Sequence, residues 1–216
     1  MKRIETCKNT INPIKMSALS RLINQSFSFV VHASNLYKID ESHAVKHSMD
    51  VFHYARDILQ HERINDPTQE KIIYSAAILH DMCDKKYIDE DVGLKAIEEA
   101  MNDHLTNEEL KAMISIITTM SYSKVKVNGY PDLAEYQTAY HIVREADLLA
   151  AYDIDRCIMF GMFNDGVEYS DALVRAKDIF TTRVLTYRSD NLFVTDRSKQ
   201  LSEALHRRAC DRMKTL

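Results

Sequence analysis

Apolar residues along this chain return at intervals of three and four, the spacing that lays them on one face of an α-helix. From Pro13 to about Ser34 the stripe is Leu19, Leu22, Ile23, Phe27 and Val30. A second helix is expected after Ser42, a candidate N-cap, with Val45, Met49, Phe52, Ala55 and Leu59 in phase until about His61. Asn65-Asp66-Pro67 breaks that run, and a third helix begins at Thr68, followed by Glu70 and Lys71. Its apolar face, Ile72, Ile73, Ala76, Ala77 and Leu79, leads directly into His80-Asp81.

Helices over 92–104 and 107–122 follow, the second opened by a capping box of Thr106 and Glu109. Val125 to Pro131, containing Asn128-Gly129, reads as a loop, and a long helical pattern then runs from Asp132 to about Phe163. Two more helices, 167–187 and 196–214, complete the chain. No repeat, low-complexity tract or linker divides it, so the pattern predicts an all-α protein, a single-domain helical bundle over residues 1–216.

Composition supports that architecture and narrows the function. Four Gly and three Pro in 216 residues fall far below ordinary usage, leaving little material for hairpins, a Gly-rich phosphate loop or a dinucleotide fingerprint. Lys+Arg 28 against Asp+Glu 32 gives a net charge of -4 with no basic block, which argues against extended nucleic acid as a partner. The cysteines, Cys7, Cys83, Cys157 and Cys210, are scattered without a CxxC, so neither a zinc ribbon nor a disulfide framework is indicated and a reducing compartment fits. No run of about 18 apolar residues exists to span a membrane, and a cytoplasmic protein is expected.

Chemistry enters where the apolar phase predicts burial of polar groups. His47 shares a face with Val51, Tyr54 and Ile58, which taken alone describes a core histidine bonded to a carbonyl. His80-Asp81 then sets a carboxylate beside an apolar helix end, and Asp147 lies in the phase of Val143, Ala150 and Ala151. Burying such carboxylates is expensive without a cation. Two imidazoles and two carboxylates from three helices would form a nitrogen and oxygen shell for one divalent metal ion, Mn, Fe, Co, Ni or Mg in preference to a thiolate-bound zinc.

These residues resemble the HD-domain metal-dependent phosphohydrolases, whose pattern is a His, a His-Asp pair and a distant Asp. Here they read His47, His80-Asp81 and Asp147, within the wider strings HAVKHSMDV, AAILHDMCDKKY and ISIITTMSYSKVKVNGYPDL followed by IVREADLLAAYD. The strings look most like the bacterial subgroup that includes nucleoside triphosphate pyrophosphohydrolases, and the resemblance covers residues 36 to 163. Departures surround the ligands. Ala44 replaces the Asp of HDxxxH, Asp50 stands where the subgroup usually has Arg, and Glu145, Leu148 and Ala150 replace an Asp, an Arg and an Asp.

The resemblance implies hydrolysis of a small phosphorylated substrate, a nucleotide or related ester, with a divalent metal held by His47, His80, Asp81 and Asp147. Asp84, one helical turn beyond His80 if the helix continues, is expected to orient or deprotonate the attacking water. Lys86 matches the Lys of HDxxDxK and would neutralise a phosphate. His43, four residues before His47, would touch substrate, and Lys124 is a third candidate substrate contact. Arg156 is another nearby cation, for which a surface position is the plainer reading. His53, His61, His104 and His141 read as ordinary histidines, and the lack of a dinuclear pattern favours one metal. Two other classes stay open: a catalytically weak HD protein that binds nucleotide or a protein partner, and a mixed-valent di-iron oxygenase on the same bundle. The pattern says nothing of oligomeric state.

Overall fold

The computed structural model describes residues 16–216, so the expected helix start at Pro13 and the residue Cys7 lie outside them. Helix α1, Ala18–Tyr37, starts where the Ser17 hydroxyl accepts the Ser20 N–H, and ends at Lys38 in the left-handed region. Helix α2 is Val45–His61. Ser42 does not cap it: the N-cap position is Ala44, and Ser42 is buried with its hydroxyl turned to the ring of His43. Helix α3, Pro67–Leu79, is capped by Asp66, whose side chain accepts the Thr68 N–H, and Pro67 takes the first turn, where no N–H is needed. Its start therefore lies one residue before the expected Thr68.

Helix α4 is Glu90–Met101, and α5, Asn107–Thr119, carries the expected capping box. The expected loop at 125–131 is in large part helical. Ser121 caps a short α6, Tyr122–Asn128, which Gly129 ends with φ 73°. The long pattern from Asp132 is broken as well. After a 3₁₀ turn at Ala134–Tyr136 come α7, Gln137–Ala150, and α8, Ile154–Phe163. The break falls where the Asp153 side chain accepts the Asp155 N–H and starts a new helix, a capping signal that outweighs the continuous apolar phase. Helix α9, Tyr169–Thr182, stops at Arg183 before a second 3₁₀ turn, and α10 spans Asp196–Thr215. Among the described residues the protein is all-α, ten helices in one domain.

Helix α3 sits at the centre because it has no polar face: every residue from Ile72 to Leu79 is buried. It packs against α1, α2, α5 and α7, while α8 and α9 pair with each other and α10 lies across α7 and α2. Truncating a residue such as Ile78 to Ala would leave a cavity costing about 2–5 kcal/mol. The central helix thus delivers its C-terminal His80-Asp81 on a rigid mount. Helix α4 braces the turn that follows. A Cβ at Gly93 would fall 2.9 Å from both Cα and Cβ of Cys83, so glycine is what lets α4 approach the Met82-Cys83 turn.

Candidate metal centre

Three helices aim polar side chains at one point. His47 stands in the first turn of α2, His80 caps the C-terminus of α3, Asp81 follows it, and Asp147 lies near the end of α7. The two Nε2 atoms are 3.0 Å apart. Asp81 Oδ2 lies 3.2 Å from His47 Nε2 and 3.3 Å from His80 Nε2. Asp147 Oδ1 lies 3.3 and 3.6 Å from the same two nitrogens. The structure therefore brings all four predicted ligands together. Ligand atoms of His47, His80 and Asp147 all fall within 4.8 Å of one another, a spacing that one ion can bridge.

Hydrogen bonding prepares these nitrogens for a cation. His80 Nδ1 donates to the Ala77 carbonyl at 3.0 Å, which fixes the proton there and turns a lone pair on Nε2 toward the cluster. His47 Nδ1 is buried without a protein partner. Electrostatics call for positive charge at His80 Nε2, from a proton or from an ion. Burial pushes the His80 pKa down, but the Asp81 and Asp147 carboxylates outweigh it and hold the pKa well above the ordinary imidazole value. Burial likewise raises the two carboxylates, yet His80 and His47 keep Asp81 well below its usual range, and His47 and His80 do the same for Asp147. Two imidazoles enclosed with two ionised carboxylates form a site that demands positive charge, and a nitrogen and oxygen donor set of this kind fits a divalent ion.

The cluster opens into a cavity of about 580 Å³. Asp81 and Asp147 retain 17% and 29% side-chain exposure through it, while the two imidazoles are almost completely enclosed. His43 lines the wall. Burial pushes its pKa down to about 4 against the pull of Asp81, so the ring is neutral at physiological pH. Lys86 Nζ, a donor only, lies 3.5 Å from Nε2, which makes that nitrogen the acceptor; Nδ1–H then donates to Ser42 Oγ at 2.6 Å. Tyr87, 3.1 Å from the same Nδ1, donates its own hydroxyl to Asp40 at 2.7 Å.

Asp84 also lines the cavity, but by a different route from the one expected. Helix α3 ends at Leu79, and consecutive tight turns, Met82 N to Leu79 O and Asp84 N to Asp81 O, carry the chain to it. Both Asp84 oxygens meet Lys86: Oδ1 accepts its backbone N–H at 3.0 Å and Oδ2 lies 3.1 Å from its ammonium. Lys124 reaches the wall as expected, where it donates to Glu90 and to the Thr118 carbonyl, both at 2.8 Å. Arg156 is not a surface residue. It is half-buried on the cavity wall, with Nε donating to the Ser42 carbonyl at 2.7 Å.

Sequence reasoning missed part of the cavity lining, Arg183, Val184 and Tyr187. They lie beyond residue 163, in a segment without a motif where one helix is expected over 167–187; the helix in fact stops at Thr182. His53 and His61 are exposed, as ordinary histidines would be. His141 sits with Gln137 and Tyr130, outside the cluster.

No family model matches the chain, and no curated protein matches it significantly. A crystal structure of a protein from Lactobacillus plantarum, a structural-genomics target without a functional name, is similar, with a TM-score of 0.69 at 19% identity. The match covers 90% of this chain and 94% of that one, and it supports the fold alone. Among the described residues no helix is long and apolar enough to cross a membrane.

Proposed function

We propose that this chain is an HD-type phosphohydrolase that uses one divalent metal ion to hydrolyse a nucleotide or a related phosphate ester. The observation that carries the reading is the meeting of His47, His80, Asp81 and Asp147 at one point on a cavity large enough for a small ligand. His47, His80, Asp81 and Asp147 would hold the ion, which when bound would supply Lewis-acid polarisation of a phosphoryl oxygen and acidify a water. The chain's own groups do the rest. Asp84, 3.1 Å from the Lys86 ammonium on the cavity lining, orients the attacking water and takes its proton. His43 presents a neutral acceptor nitrogen to a substrate N–H or O–H. The position of His141 outside the cluster favours a single ion over a di-iron centre. A cytoplasmic setting goes with this reading, in keeping with free thiols at Cys83, Cys157 and Cys210.

A second reading, a catalytically weak HD protein that binds nucleotide, draws on the engagement of both Asp84 oxygens by Lys86. One experiment separates the two. Nucleoside mono-, di- and triphosphates, a cyclic dinucleotide and a generic phosphodiester are incubated with Mn, Co, Mg or Ni and the products resolved by chromatography. Hydrolysis that requires metal and is lost in Asp147→Asn supports the enzyme. Binding without turnover in every combination selects the weak HD protein instead.

A further inference from the structure

The cations on the cavity wall fall into two kinds. Lys85, Lys86 and Lys124 arrive paired with carboxylates, Lys86 with Asp84 at 3.1 Å and the other two with Glu90, each at 2.8 Å. Arg156 and Arg183 have no carboxylate partner among the described residues. Each is anchored through Nε, Arg156 to the Ser42 carbonyl at 2.7 Å and Arg183 to the Tyr187 hydroxyl at 3.2 Å. The Arg183 guanidinium also lies 4.4 Å over the ring of Tyr122. In both, the anchor leaves the two terminal nitrogens, which carry the fork that grips an oxyanion, without a protein acceptor among the described residues.

These two side chains come from different elements, α8 and the stop after α9, yet line the same cavity. Both act on the Cys157 thiol, opposing the burial that raises it. Two guanidiniums on the lining of one cavity, neither paired with a carboxylate among the described residues, favour an anion that both can reach. Because each is already held by its Nε, little side-chain freedom remains to be lost when the anion arrives.

We propose that Arg156 and Arg183 form a two-armed clamp for phosphoryl groups beyond the one that meets the metal ligands, so that the cavity selects a substrate with two or more phosphoryl groups. The identity of the anion rests on the phosphohydrolase reading, whereas the clamp can be measured without turnover. It assigns a role to the segment after residue 163, which completes the substrate site. It also moves the main phosphate contacts from the expected Lys86 and Lys124 to the arginines.

The test is calorimetric titration of the full chain, in chelator, with inorganic tripolyphosphate and separately with inorganic phosphate. Tripolyphosphate should bind at least about tenfold tighter than phosphate, and Arg156→Ala and Arg183→Ala should each weaken it roughly 10- to 100-fold, the range of a charge-assisted hydrogen bond. Lys124→Ala should change it by less than about threefold. Thermal midpoints are measured alongside. If Arg183→Ala unfolds, Arg183→Lys decides, because it keeps a cation over Tyr122 but loses the fork and should still weaken binding. Equal affinity for the two anions, unchanged binding in the arginine variants, or an equal loss in Lys124→Ala would overturn the clamp. Arginine-dependent binding with no turnover on any nucleotide leaves the clamp standing and removes the phosphohydrolase reading. Metal-dependent turnover with wild-type KM in both arginine variants does the reverse.

Discussion

Helix α7 carries two carboxylates, two residues apart, in opposite circumstances. Glu145 is fully buried and completely satisfied: it accepts from Val194 N at 2.8 Å, Thr195 N at 3.1 Å, Thr195 Oγ1 at 2.7 Å and Arg144 Nη2 at 3.3 Å. Arg144 in turn donates to the Leu192 carbonyl. Asp147 faces the cavity and meets two imidazole nitrogens at 3.3 and 3.6 Å. Burial thus means different things at the two positions. A carboxylate whose donors all come from the protein is a structural tie, here fastening α7 to the segment that leads into α10. A carboxylate left short of donors, beside imidazoles in the same condition, is a place for a cation.

The contrast breaks first at Glu145. Glu145→Ala strands the Arg144 charge and the Thr195 N–H in the interior and frees the Val194 N–H at a partly exposed position, a loss of about 3–5 kcal/mol. At roughly 2–4 °C per kcal/mol for a domain of this size, the thermal midpoint should fall by about 10 °C. Metal affinity measured well below that midpoint should be little changed. A midpoint equal to wild type would show that Glu145 is no tie.

Next comes Asp84, which sharpens the division between holding an ion and using it. Asp84→Asn should keep most of the metal affinity while lowering turnover roughly 100-fold or more, the usual contribution of a positioned base. Near wild-type turnover would take Asp84 out of the mechanism and leave His43 as the next candidate.

The smallest effect concerns His141, one helical turn before Glu145 on the structural side of α7. Burial, reinforced by Arg144, pushes its pKa down to about 4 from the ordinary value of 6.5, and Gln137 bonds its Nε2 at 3.2 Å. Nearby Glu145, 3.9 Å from Nδ1, is already committed to other donors. Between pH 4 and 6.5 the unfolded chain therefore binds the proton that the folded ring refuses. Stability should rise with pH across that window and level off above it. His141→Gln should flatten that part of the pH profile of urea midpoints. An unchanged slope would mean that the ring is protonated in the folded state.

Much of this was legible in the chain. The three-and-four periodicity located most of the helices, Thr106 with Glu109 announced a capping box that is present, and the placing of His47, His80, Asp81 and Asp147 in or beside apolar phases pointed to one cluster, in which the two histidines are enclosed and the two aspartates partly open to the cavity. What escaped were features decided by local competition or by tertiary contact. The break between α7 and α8 rests on one Asp153 cap inside an uninterrupted apolar phase. The Ser121 cap and seven residues were enough for α6, too few to show a periodicity. Ser42 looked like a cap by type and position, yet it is drawn inward by His43 and Arg156. Arg183 had no signal of its own, since its place in the cavity depends on how α9 packs against α8.

The central claim is that Asp147 belongs to a metal shell and Glu145 does not. Calorimetric titration of Mn into wild type, Asp147→Asn and Glu145→Gln at low temperature tests it directly. Wild type should bind one ion per chain, Asp147→Asn should lose that binding at least about 100-fold while remaining folded, and Glu145→Gln should bind nearly as wild type. If wild type bound no ion, or if Asp147→Asn bound one as tightly as wild type, the four side chains would be only a buried polar cluster and the functional reading built on them would fall.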